Sequence, residues 1–100
     1  MSMTKSQIEM DFSRAIAQAE ELEEISKELS NIASAHIKGA FSLLSGSWKG
    51  ENSAEYLERG NLLTEDMFGT ADDLIKVAKN IRSTAKIVYN AEQAALQLSY

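Results

Sequence analysis

The chain of 100 residues has no cysteine and no proline, with only one tryptophan and one histidine. Without cysteine there is neither a disulfide framework nor thiolate chemistry. Aromatic residues number seven, while alanine is frequent, so the apolar complement suits close helix packing better than a thick globular core. Basic residues are few: ten Lys and Arg, scattered, leave a net charge of -5 and a pI near 4.8. No basic stripe follows a phosphate backbone, which excludes nucleic acid as the expected partner, and anionic membrane surfaces repel such a chain. No apolar run approaches the ~20 residues of a membrane-spanning helix, so no stable membrane insertion is expected. Met1 to Met10 lacks a basic stretch followed by an apolar one, as a cleaved secretory signal requires. A cytoplasmic protein is expected, or one exported without a cleaved leader. There is no glycine-rich phosphate loop, nucleophile elbow or zinc-ligand spacing. No enzymatic activity, cofactor or metal is expected.

What is present is helical periodicity. A hydrophobic fraction of 44% is too high for a disordered chain. Ile8, Phe12, Ala15, Ala19, Leu22, Leu29, Ala33, Ala40 and Leu43 alternate at steps of four and three, with Ser26 and His36 at the two remaining positions. Leu57, Gly60, Thr64, Met67, Ala71, Leu74, Ala78, Ile81, Ala85, Val88 and Ala95 repeat the alternation, broken by Glu92. Such spacing is that of helix packed along helix. It predicts an all-α, single-domain hairpin with helix 1 over about 7–45, a turn at about 46–52 and helix 2 over about 53–95. Ser6 with Glu9 and Asn52 with Glu55 have capping-box spacing, and Gly46 is a natural helix stop.

A short loop makes the arms antiparallel. Residues whose numbers sum to roughly 96 or 97 then face each other: Phe12 and Ala85, Leu22 and Leu74, Leu29 and Met67, His36 and Gly60. Gly39, Gly60 and Gly69 read as places where a facing helix comes close, with a hinge at Gly69 the alternative. His36 reads as a packed or edge histidine. Glu20, Glu21, Glu23, Glu24 and Glu28 read as a solvated face, as do Asp72 and Asp73.

A hairpin has no third layer and buries little surface. Yet Ile25, Ile32, Ile37, Phe41 and Leu44 lie beside the seam on the first arm, and Tyr56, Leu63, Phe68, Ile75, Val77 and Ile87 on the second. The stripe has the width of a four-helix core. Ile25, Ile32, Ile37, Phe41, Leu44, Leu63, Phe68 and Ile75 are the expected dimer interface.

Ser47-Trp48-Lys49-Gly50 sits at the midpoint, where the hairpin turns. Trp48 either plugs the turn or forms half of a recognition surface, and the two roles are compatible. With the central Trp-x-Gly, the length, the flanking helices, the acidity and the missing leader, the whole chain resembles the WXG-motif, hundred-residue (ESAT-like) family of type VII secretion substrates. The resemblance implies a hairpin that dimerises into a four-helix bundle, as a homodimer or with a related hairpin. It also implies leaderless export by a secretion ATPase. In that family a C-terminal Tyr-x-x-x-Asp/Glu helps form the export signal, beside the partner's Trp-x-Gly turn. Here Tyr89 is followed four residues on by Gln93, and the acid is Glu92, so the signal is degenerate. The alternatives are a targeting partner or chaperone for a larger effector, and a cytoplasmic coiled-coil adaptor.

Overall fold

The computed structural model describes residues 4–47 and 51–98, with side chains over 4–43 and 54–98. Every regular element among them is helical: α1 (Lys5–Asn31), a π-helical segment (Ile32–Ile37), α2 (Lys38–Ser47) and α3 (Glu51–Leu98). The fold is an all-α helical hairpin, with α1, the π segment and α2 forming one arm and α3 the other.

The first helix starts earlier than its expected cap. Thr4, not Ser6, closes the box: the Gln7 amide donates to Thr4 Oγ1 at 3.2 Å, and the Thr4 amide donates to Gln7 Oε1 at 3.0 Å. A Thr-x-x-Gln pair satisfies orphan amides as well as Ser-x-x-Glu does, and it carries the start of α1 two residues further out, to Lys5. At the other end α2 continues through Gly46 to Ser47, and α3 already begins at Glu51, so neither Gly46 nor Asn52 marks a boundary.

Packing divides the chain into two compact units, Met1–Glu23 with Ile75–Tyr100, and Glu24–Leu74. In the second unit the buried positions are Ser26, Ala33, Gly60, Thr64 and Ala71. Ser26 and Ala33, like Thr64 and Ala71, are seven residues apart, the heptad spacing of a narrow seam. All are small, so the backbones approach closely. The Ser26 hydroxyl donates directly to the Ala71 carbonyl at 2.7 Å, and the two residue numbers sum to 97, the register expected from sequence.

That register fails beyond Ala33. His36, Ala40 and Leu43, expected in the seam, are exposed, Leu43 to 78%. Ile37 and Phe41, expected beside it, are half-buried instead. The cause is the π segment, in which the Lys38 amide donates to the Ala33 carbonyl five residues back. One extra residue per turn rotates everything after it by about 100°, so the seam steps from 36 and 40 to 37 and 41. The side chain of Leu44 lies outside the described residues. Gly60 therefore faces Phe41, not His36: a methyl built on Gly60 would sit 2.7–2.8 Å from three atoms of the Phe41 ring. Gly39 and Gly69, by contrast, have nothing near them among the described residues, and α3 runs unbroken through Gly69. Close approach holds at Gly60 alone, and no hinge interrupts Gly69.

In the first unit Ile8, Ala19 and Ala78 are buried. Here the seam keeps a longer step. On α3, Ala78 and Tyr89 are eleven residues apart, as are Ala85 and Leu96. Tyr89 and Leu96 are half-buried, whereas Val88 and Ala95, the expected seam residues, are exposed. A straight α-helix drifts from a strict heptad by about 20° each repeat, and an eleven-residue step absorbs the drift. Accordingly Phe12 meets Tyr89, with ring centroids 4.8 Å apart and planes tilted by 47°.

Two predictions follow from the seam. Deleting Ala35, an exposed residue of the π segment, lets the segment close as α-helix while keeping Ile37 and Phe41 inward. The melting temperature, followed by circular dichroism, should hold or rise by a few degrees, whereas deleting exposed Gln18 from α1 should lower it by about 10 °C or more. Gly69→Ala and Gly39→Ala should each stabilise by about 0.5–1 kcal/mol. Gly60→Ala should instead destabilise by about 1 kcal/mol net, because overpacking against Phe41 outweighs the gain in propensity. Urea titration distinguishes the signs, and a Phe41→Leu background should shrink the Gly60→Ala penalty.

Candidate functional site

Among the described residues no group of three or more His, Asp or Glu could hold a metal, and no helix is long and apolar enough to cross a membrane. His36 is exposed within the π segment. Of the acidic run, Glu20, Glu21, Glu24 and Glu28 are exposed, as expected of a solvated face, as are Asp72 and Asp73. Glu23 differs: it accepts a hydrogen bond from Arg82 at 2.6 Å. That bond is the main reason the Arg82 guanidinium holds its proton more tightly than usual. Both partners are more than a third exposed, so the pair orients the two helices of its unit more than it stabilises them. Arg59 pairs with Glu55 one turn back at 3.0 Å and lies 5.9 Å over the Tyr56 ring, on the surface.

What the chain offers is apolar surface, and it does so in both units. In the second unit Ile25, Ile32 and Leu63 stay 46%, 43% and 47% exposed. Each immediately precedes a buried seam residue: Ser26, Ala33 and Thr64. In an antiparallel pair, the positions one before the seam on both helices fall on the same side, so these three share one face of the hairpin. Of the other residues expected at an interface, Ile37 and Phe41 are spent within the hairpin seam. Phe68 follows its seam residue, lies on the opposite side and is half-buried. Ile75 is half-buried and belongs to the first unit.

In the first unit the two helices leave a groove of about 430 Å³, floored by Phe12, Ile81, Ala85 and Val88 and flanked by Asp11 and Glu92. Tyr89 and Glu92, the two residues of the degenerate signal, both line it, and Tyr89 is held in place by Phe12. A more polar cleft of about 310 Å³ lies beside the Phe41–Gly60 contact in the second unit. Trp48 and Gly50 lie outside the described residues.

The chain matches no family model, no curated protein and no solved structure.

The groove was not foreseen as a site, because heptad reasoning put Val88 in the seam and Tyr89 outside it. The signal for it was present. Glu92 interrupts an otherwise apolar track, and a carboxylate at a seam position marks where the seam opens to solvent or to a partner.

Proposed function

We propose that this protein is a small helical hairpin exported by a type VII secretion system, acting through protein–protein contact as one half of a four-helix bundle. The observation that carries the reading is the shared face of Ile25, Ile32 and Leu63, three large aliphatic side chains nearly half exposed on one side of a hairpin with no other layer to cover them. Covering each is worth about 1 kcal/mol or more, and contiguous apolar surface of this kind drives association. A second hairpin, from an identical or related chain, supplies the missing layer. Support for export is the central Trp48-x-Gly50 between two helical arms, the acidity and the Tyr89–Glu92 pair on one groove. In this reading the secretion ATPase is the partner that engages the exported dimer, and no enzymatic step is involved.

Light scattering on the purified protein, alone and mixed with the product of the neighbouring open reading frame, tests the pairing. The expected mass is that of two hairpins, and Ile32→Glu with Leu63→Glu should return a folded or partly folded monomer. A stable monomer at several hundred micromolar, alone and in the mixture, would overturn the bundle. A chain that becomes ordered only on mixing with a larger helical protein would replace self-pairing by the targeting-partner reading. For export, Trp48→Ala should leave the helical dimer intact and reduce its appearance in culture medium of cells carrying the machinery; undiminished export of that variant would remove the tryptophan from recognition.

A further inference from the structure

We infer that the groove of the first unit is a docking site for an amphipathic helix of a different protein, one carrying arginine or lysine at the end that meets Asp11 and Glu92. The inference does not rest on export, and Ile25, Ile32 and Leu63 are not among the residues that line this groove.

The shape comes first. The α3 wall runs from Val77 to Glu92, fifteen steps along a helix and so about 22 Å, the length of four turns of a docked helix. Its floor is apolar, with Phe12, Ile81 and Val88 exposed or half-exposed to whatever enters. Apolar side chains of a partner at successive i, i+3 and i+4 positions are what such a trough accepts.

The charge then selects the occupant. Two carboxylates, Asp11 and Glu92, line the groove, and no lysine or arginine does. Glu92 is half-buried at a seam position, with no ion pair shown to it among the described residues. Burying these carboxylates under an apolar or acidic helix would strip them of water without compensation. A guanidinium or ammonium laid over the same end satisfies both. A second copy of this chain is the wrong occupant. With fifteen acidic residues against ten basic ones and a net charge of -5, a second copy repels these carboxylates where a basic partner attracts them. Arginine fits better than lysine, since its planar fork can donate two hydrogen bonds to a carboxylate while lying against the neighbouring Tyr89 ring.

The test uses the full-length protein and two labelled eighteen-residue helical peptides with the same leucine stripe, one ending in two arginines and the other in two glutamates. Fluorescence anisotropy should show saturable binding of the arginine peptide, at least about tenfold tighter than the glutamate peptide and weakening with salt. Asp11→Asn with Glu92→Gln should abolish that preference while circular dichroism stays unchanged, and methyl resonances of Val77, Ile81 and Val88 should shift on titration. Because Val77 and Val88 are exposed, Val77→Glu with Val88→Glu should remove binding of both peptides without unfolding the chain. Equal affinity for the two peptides, or a preference that survives Asp11→Asn with Glu92→Gln, would overturn the inference. So would a fall to half the native mass in the Val77→Glu, Val88→Glu protein, since that would place a second copy in the groove.

Discussion

Close approach of two backbones through small side chains is the constraint from which the rest of this hairpin follows. Its most direct expression is the Ser26 hydroxyl, which reaches the main-chain carbonyl of Ala71 on the facing helix at 2.7 Å. A serine side chain is short, and it can make that bond only where nothing larger than alanine, glycine or threonine separates the helices. Ala33, Gly60 and Thr64 keep the same unit thin on either side of it. A seam built this way excludes large aliphatic groups. Ile25, Ile32 and Leu63 are therefore forced onto the surface not because the fold fails to bury them, but because the closeness of the helices leaves no room between them.

The π segment shows how the seam chooses its residues. The chain carries two overlapping tracks after Ala33, one through His36, Ala40 and Leu43 and the other through Ile37, Phe41 and Leu44. A continuous α-helix selects the first, which would press an imidazole against the facing helix and leave Ile37 and Phe41 wet. Inserting one residue selects the second. Burying an isoleucine and a phenylalanine is worth about 1.5–3 kcal/mol each when complete, and leaving His36 in water avoids desolvating it. Those gains exceed what one turn of poorer hydrogen-bond geometry costs. The phenylalanine ring needs a site without a β-carbon opposite it, and Gly60 supplies one. Bulge, ring and glycine are one device.

Much of this was legible in the sequence. Apolar spacing located both arms, the antiparallel pairing and the register at Ser26 and Ala71, since these depend on local periodicity and on a short connection. What periodicity could not reveal was a change of period. A step of seven continues only while the helices stay regular. One added residue at Ile32–Ile37 and the eleven-residue step from Ala78 to Tyr89 both shift the seam by one position, at His36→Ile37 in numbering and at Val88→Tyr89. The start of α1 was misplaced for a different reason: Ser6–Glu9 and Thr4–Gln7 satisfy the same pattern, and sequence alone does not rank them. Gly39 and Gly69 were over-read, because a helical glycine signals close approach only if something stands opposite it.

The two apolar surfaces differ in the charge that lies beside them. The face made of Ile25, Ile32 and Leu63 is aliphatic, and what it calls for is apolar cover of any kind. The groove beside Phe12 and Tyr89 differs, because Glu92 occupies a seam position and Asp11 lines the same groove. An apolar replacement at 92 would have closed the track and deepened the core, while the carboxylate holds that end open. The hairpin thus gives up apolar burial at both sites, and only the groove sets carboxylates beside the apolar surface.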